Sequence, residues 1–337
     1  MKKAIITGIS GQDGAYLAAL LREKSYQVIG TSRTPGERST FHRLDFLNIY
    51  SDVTIISCLK NCEEIIETYS PDEVYNLEGQ SSVARSFSSP FETISSNGYS
   101  TLGWLEAIRT VNPAVKFYQA SSSEIFGVTN SFSKDERSSY HPRSPYAVSK
   151  LFSHFTTVNY RESYNIFACC GILFNHESPL RGEQFVTQKI VKAAVDIENG
   201  DLDCLHVGNI SAQRDWGHAR DYVKGMYLMM QHDVAEDFVL ATGKLHSVKD
   251  FIVEAFRETG IELDWEGEGV DAKAICLETG KVLVKVDPEF FRPADIGKSL
   301  GNPLKANNML GWYTESDFQT VVQEMIKHQR KNKINKN

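Results

Sequence analysis

Along the first half of the chain, short apolar runs alternate with longer stretches whose apolar positions recur every three to four residues. Lys3–Thr7 reads as a buried strand, and after a glycine-rich turn the chain is amphipathic through about Lys24. Gln27–Thr31 and Val53–Ser57 are two more strand-like runs. Cys58–Tyr69 has helical periodicity and ends at Ser70-Pro71, where the proline disfavours a helical predecessor. Val74–Leu77, Val115–Ala120 and Ile166–Leu173 complete the strands, with helices over Thr101–Arg109 and from near Tyr146 to about Tyr164. Strands alternating with helices predict an α/β fold on a parallel, doubly wound sheet.

The chain has 337 residues, 41% hydrophobic and 23% charged, enough for a full core and two lobes. It holds no apolar run long enough to span a membrane, and Met-Lys-Lys followed directly by Ala4–Thr7 is too short for a signal peptide. A cytoplasmic location is expected. The six cysteines (Cys58, Cys62, Cys169, Cys170, Cys204 and Cys276) form no CxxC pair and no zinc spacing, so free thiols and no metal are expected. A net charge of -7 without a basic block argues against nucleic acid or an anionic membrane as partner. The Lys-rich segment after Lys327 reads as a frayed end.

The first strand runs into Thr7-Gly8-Ile9-Ser10-Gly11-Gln12-Asp13-Gly14 at the start of a helix. Gly8, Gly11 and Gly14 let the turn tighten, a pyrophosphate approach the backbone, and the helix lie close to the sheet. The helix N-terminus then offers free N–H groups to the phosphates, so a dinucleotide is the expected ligand. Strand two should end beside the adenosine ribose, where an acid selects NAD. Ser32 and Arg33 stand there instead, which favours the 2'-phosphate of NADP. The alternative is an arginine merely exposed in a loop with Pro35 and Gly36.

Ala120–Lys150 carries the candidate chemistry: Ser121, Ser122, Ser123 and Glu124 end an apolar run, and Tyr146 and Lys150 occur further on in Ser-Pro-Tyr-Ala-Val-Ser-Lys. A tyrosine and a lysine four apart share one helix face. An ammonium about 5 Å away, helped by a cationic nicotinamide, lowers a phenol's pKa by ~2–3 units for roughly 3–4 kcal/mol and makes it a base. An isolated YxxxK is usually an ordinary amphipathic surface, but this one accompanies a glycine turn. The loop Glu78-Gly79-Gln80-Ser81 lies at the carboxyl edge of the sheet, where ligands bind. Further arginines lie in Phe174–Gly182, Gln213–Tyr222 and Phe291-Arg292-Pro293. They either converge on a diphosphate or form surface ion pairs.

TGxxGxxG and YxxxK together resemble the extended short-chain dehydrogenase/reductase superfamily. Within it, Thr7–Gly14, Phe117–Glu124, Pro142–Lys150, Asn159–Tyr164, Gly171–Ser178, Arg214–His218 and Phe291–Ala294 resemble the GDP-mannose 4,6-dehydratase family nearly end to end. The resemblance implies a Rossmann domain over 1–174 plus about 210–245, with a smaller, discontinuous C-terminal α/β domain for a GDP-sugar over about 175–209 and 246–330. Residues 331–337 form a tail. It assigns Tyr146 as base, Lys150 as its partner, Ser122 where the family usually has threonine, and Glu124 as second acid/base. Gly8, Gly11, Gln12, Asp13, Gly14, Arg33, Leu77, Gln80, Ser81, His176 and Arg181 would join Tyr146 and Lys150 around NADP. Ser82, Asn175, Glu177, Lys189, Arg214, Arg220 and Arg292 would surround the nucleotide-sugar. A homodimer or homotetramer is implied, the dimer through helices around Leu102–Ile108 and Leu151–Val158.

Some residues depart from that family. Ser57-Cys58-Leu59 replaces Gly-Asp-Leu, Glu78 stands where a small residue is usual, Glu92 replaces a cofactor-contacting tyrosine, and the arginine-rich loop after strand two is short. The expected reaction dehydrates a GDP-hexose, GDP-D-mannose first, by internal hydride transfer from C4 to C6. Dehydration of another GDP-sugar such as a GDP-mannoheptose, nucleotide-sugar reduction or epimerisation, and non-catalytic nucleotide sensing are the alternatives.

Overall fold

The computed structural model describes residues 1–59, 61–128, 132–291 and 296–334. Its centre is a seven-stranded sheet. Six strands are β1 (Lys3–Thr7), β2 (Gln27–Ser32), β3 (Val53–Ser57), β4 (Glu73–Asn76), β5 (Lys116–Ser122) and β6 (Ala168–Leu173). Phe238–Leu240 pairs with β6 at one edge, and the order across the sheet is Phe238–Leu240, β6, β5, β4, β1, β2, β3. Every pairing is parallel. Helices cover both faces, so β1 buries Ala4, Ile5 and Ile6 completely.

The expected strands and helices appear with shifted ends. β5 extends through Ser122, because that serine still pairs with Leu173 of β6. The helix expected from Cys58 starts at Cys62, capped by the Asn61 side chain, while Lys60 lies outside the described residues. Thr101–Arg109 belongs to a longer helical run from Pro90 to Val111, interrupted by a π-helical segment at Ser95–Tyr99. The Lys-rich segment expected to fray is helical as far as it is described: the last helix runs from Phe318 to Ile334, and 335–337 lie outside the described residues. Arg330 pairs with Glu198, and Lys333 with Asp196 and Asp201, holding that end on the helix Val186–Glu198 and the turn after it.

A polar ladder crosses the carboxyl ends of the three central strands. Thr7 Oγ1 donates to Asn76 Oδ1 at 2.7 Å, and Asn76 Nδ2 donates to Gln119 Oε1 at 2.8 Å. Thr7 Oγ1 also accepts the N–H groups of Leu77 and Glu78, both at 3.0 Å, which fixes where the chain leaves β4.

The second lobe builds its core from the helices Val186–Glu198, Val248–Glu258 and Phe318–Ile334 around a four-stranded sheet. Trp216 lies between the lobes in sequence yet packs into this second core, against Phe251 and Phe318. Its strand, Trp216–His218, runs parallel to Asn175–Glu177 just beyond β6.

Candidate active site

The glycine turn leads from β1 into the helix Gln12–Glu23, here α1. Gly8 has φ +67° and lies against the backbone of Leu77 and Glu78. A Cβ on Gly14 would stand 2.5 Å from the Gly8 carbonyl, so only glycine lets α1 approach the turn this closely. This bare backbone cradle at a helix N-terminus fits the diphosphate of a dinucleotide.

Tyr146 and Lys150 project from the helix Pro145–Tyr164, which Ser144 caps by accepting the Ala147 N–H. Lys150 Nζ donates to the Ala120 carbonyl at 2.9 Å and lies 6.0 Å from the Tyr146 ring centre. The Ser122 hydroxyl hydrogen-bonds the Tyr146 phenol, and it accepts the Glu124 N–H at 3.3 Å. Ser122 ends β5 and Glu124 lies in the single turn after it, so sheet and helix bring the four residues to one wall of a cleft of about 530 Å³.

The electrostatics differ from the sequence-based expectation. Burial pushes Tyr146 up to about 12; the Ser122 hydrogen bond pulls it down, and the Glu124 charge pushes it up. Burial also pushes Lys150 down to about 8, against the pull of Asp13 and Glu78. Desolvation penalises each charged form, and the lysine alone does not make a phenolate at neutral pH.

The cleft also receives Asp13, Leu77, Ser81 and Ser82 from the sheet edge, and Asn175, His176, Glu177 and Arg181 from the chain after β6. His176 joins the two sides. Its Nε2 faces Asp13 Oδ2 at 2.9 Å, its Nδ1 faces the Phe174 carbonyl at 2.7 Å, and its ring stacks on Tyr222. Gln12 turns to the same segment, donating to the His176 carbonyl and accepting from Ser178 Oγ. Arg181 pairs with Glu177 at 3.0 Å and lies over the Phe185 ring. Lys189 and Arg214 enter from the second lobe, Lys189 over the Phe290 ring at 3.6 Å and Arg214 donating to the Ile296 carbonyl.

Other expected site residues stand elsewhere. Gln80 orders its own loop by donating to the Ser82 carbonyl and Thr93 Oγ1. Arg33 is exposed at the end of β2. Arg220 does not reach the cleft: it pairs with Glu324 on the last helix, which supplies a nearer carboxylate. Arg292 lies outside the described residues.

The unusual acids also have places. Glu78 is largely buried, accepts from Ser100 and Trp104, and is pushed up by burial. Glu92 is on the surface, paired with Arg85.

Sequence reasoning missed Asn97. This buried side chain donates to Ser149 Oγ at 2.8 Å and to the Gln80 carbonyl at 3.3 Å, tying the helix Pro145–Tyr164 to the loop after β4. A Cβ on Gly79 would stand 2.0 Å from Asn97 Oδ1. The signal was Asn97-Gly98 inside an otherwise helical pattern, the place where the helix widens to π geometry.

Comparison with known proteins fits this arrangement. The profile of the family described as GDP-mannose 4,6 dehydratase matches residues 5–325. The GDP-mannose 4,6-dehydratase of Yersinia enterocolitica is 44% identical, over 97% of this chain and 93% of that protein. Among solved structures, UDP-glucuronic acid 4-epimerase from Bacillus cereus, in complex with UDP-glucuronic acid and NAD, superposes with a TM-score of 0.82 at 18% identity. The match covers 98% of this chain and 99% of that one. RMD from Pseudomonas aeruginosa, complexed with NADPH, superposes with a TM-score of 0.75 at 19% identity, covering 98% of this chain and 100% of that one.

The Asp13–His176 pair has a testable pH signature. Burial opposes the charge on each residue, but the partner's charge wins, raising His176 above 6.5 and lowering Asp13 below 3.8. The imidazolium's contribution to stability is full below pH 6.5 and disappears as pH rises through its folded value. The carboxylate's is present above pH 3.8 and disappears as pH falls through its folded value. The pair therefore stabilises the fold most between those limits. NMR titration should place the His176 midpoint above 6.5 in the native chain, with a lower midpoint in Asp13→Asn. A wild-type midpoint at or below 6.5 contradicts the pairing.

Proposed function

The chain belongs to the GDP-mannose 4,6-dehydratase family, and on that premise we propose that it is a hydro-lyase converting GDP-D-mannose to GDP-4-keto-6-deoxy-D-mannose with NADP. One observation carries the reading: Glu124 shares the cleft wall with the Ser122–Tyr146 pair. Hydride transfer at C4 uses the phenol and the hydroxyl. Only elimination also needs a carboxylate.

In this assignment Tyr146 takes the proton of the C4 hydroxyl, and Ser122 holds the C4 oxygen by a hydrogen bond. Lys150, anchored on the Ala120 carbonyl, keeps positive charge beside the phenol. When bound, the nicotinamide would supply the hydride chemistry between C4 and C6 and a positive charge that favours ionisation of Tyr146. Glu124 removes the C5 proton, acidified by the C4 ketone, and passes it to the C6 hydroxyl, which leaves as water; the proton that Tyr146 took from the C4 hydroxyl balances the one that C5 regains when hydride reaches C6.

Gly8, Gly11 and Gly14 receive the cofactor diphosphate. Asp13, Leu77, Ser81, His176 and Arg181 border the dinucleotide, with Gln12 and Gln80 ordering the backbone around it. Ser32 and Arg33, with no acid beside them at the end of β2, support NADP over NAD. Lys189 and Arg214 suit the GDP diphosphate, and Ser82, Asn175 and Glu177 the sugar. We leave Arg220, engaged by Glu324, out of this assignment.

We assign residues 1–174 with about 217–245 to the cofactor domain and about 175–216 with 246–330 to the nucleotide-sugar domain, moving the expected boundary at about 210 because Ala212 and Trp216 pack in the second core. Six free cysteines among the described residues suit the cytoplasm. We also propose a homodimer, through a surface that keeps the expected Leu151–Val158 helix but not Leu102–Ile108. Leu105 and Ile108 are buried in this chain's own core, whereas Phe91, Ile94, Tyr99, Val148, Phe152 and Phe155 are exposed on neighbouring helices. Such an apolar face needs a cover, and a second copy supplies one.

Three experiments test these assignments. Glu124→Gln should lower 4-keto-6-deoxy product by roughly 10² to 10⁴ while the absorbance of reduced nicotinamide still appears on mixing with GDP-mannose; Tyr146→Phe should lose both signals. Near wild-type dehydration by Glu124→Gln overturns the mechanism. Calorimetry should show NADP binding roughly tenfold or more tightly than NAD, with most of the preference gone in Arg33→Ala. Equal affinities in the wild type sink the NADP assignment. Light scattering at micromolar concentration should show a dimer that Phe152→Asp dissociates, and a wild-type monomer contradicts the assembly.

A further inference from the structure

Arg43 is a half-buried cation that the reaction does not use. It lies on the short helix His42–Phe46, between β2 and β3. Its Nη1 donates to the Ser10 carbonyl at 3.0 Å, inside the glycine turn. Its Nε donates to the Leu180 carbonyl at 2.8 Å, one residue before Arg181. One planar guanidinium thus staples the phosphate-facing turn to the loop that carries the second arginine.

The charges around it are unbalanced. Burial depresses the Arg43 pKa, the neighbouring Arg181 depresses it further, and Asp13 offsets part of both. Among the described residues Arg43 forms no ion pair, while Asp13 is engaged by His176 and Glu177 by Arg181. A partly desolvated guanidinium in the field of a second one is unfavourable unless an anion offsets both. A guanidinium has five N–H donors, and two carbonyls use only two of them. An anion at the glycine turn would meet the positive end of α1 and both arginines together.

We infer that Arg43 is a positioning residue for the dinucleotide diphosphate, holding the glycine turn and Arg181 in the register that receives the two phosphates. The inference rests on the cofactor reading above and adds a residue to it. It also separates two arginines by role. Arg33 would act on the 2'-phosphate that NADP alone carries, whereas Arg43 would act on the diphosphate common to NADP and NAD.

The test is calorimetric titration of NADP and NAD into the full chain, for wild type, Arg43→Gln, Arg43→Lys and Arg33→Ala, with thermal melting of each protein in the absence of nucleotide. Arg43→Gln should weaken both dinucleotides by about 10-fold or more and leave their affinity ratio unchanged. Arg43→Lys, which keeps the charge but not the planar fork, should fall between Gln and wild type. In turnover, the loss should appear in the cofactor KM rather than in kcat. Arg33→Ala should change the ratio instead.

If Arg43→Gln melts at a lower temperature yet binds both dinucleotides with wild-type affinity below its transition, the arginine is only structural and the inference fails. A change in the NADP-to-NAD ratio in Arg43→Gln also overturns it. Should Arg43→Gln fail to fold, Arg43→Lys decides alone, and wild-type affinity there refutes the proposal. If the wild type binds neither dinucleotide, the cofactor reading itself is wrong, an outcome distinct from failure at Arg43.

Discussion

The site depends on hydrogen bonds buried at the carboxyl edge of the central sheet. Thr7, Asn76 and Gln119 sit at matching register on β1, β4 and β5, and each satisfies the next. Thr101 joins from the flanking helix, donating to Gln119. Breaking one link would leave a buried amide or hydroxyl unpaired, at a cost of about 1–3 kcal/mol. That penalty fixes the relative heights of the three strands. The glycine turn, the loop after Asn76 and the Ser122–Glu124 turn all emerge from those strand ends, so their spacing is set before any ligand binds.

The second constraint is the tie across the cleft. Asp13 and Gln12, at the start of α1, hold the segment after β6 through His176 and Ser178. The same segment pairs with the strand containing Trp216, whose indole is packed in the second core. The glycine-turn end of the first lobe is therefore linked mechanically to the lobe that carries Lys189 and Arg214. Closely packed interiors transmit such links because side chains have few alternative arrangements.

Burial gives this site its chemistry and sets its cost. The environment that excludes water raises the Tyr146 pKa to about 12 and depresses Lys150 to about 8, so both groups are held toward their neutral forms. A cationic ring entering this cleft acts through a low-dielectric path, where its charge counts for more than in water. On the proposed assignment, the phenol would become basic when the cofactor ring is in place, coupling proton transfer to hydride transfer.

The sequence alone determined a large part of this protein. Strand and helix order, the glycine cradle and the Tyr146–Lys150 pair were legible because they rest on local rules: apolar period, conformational freedom at glycine, and one helical turn between partners. Contacts that cross the fold were not legible. Arg220 stands near Arg214 in sequence, but the last helix presents Glu324 to it. Leu105 and Ile108 form an apolar face that the sheet covers, and the exposed aromatic face joins Phe152, on the expected Leu151–Val158 helix, to Phe91 and Tyr99. The Lys-rich end looked unstructured until the acids of Val186–Glu198 and Asp201 met Arg330 and Lys333. Asn97 and Arg43 each bridge segments far apart in the chain. Only tertiary structure could decide these points, because a side chain's charge and polarity are fixed by sequence but its partner and its desolvation are fixed by what packs against it.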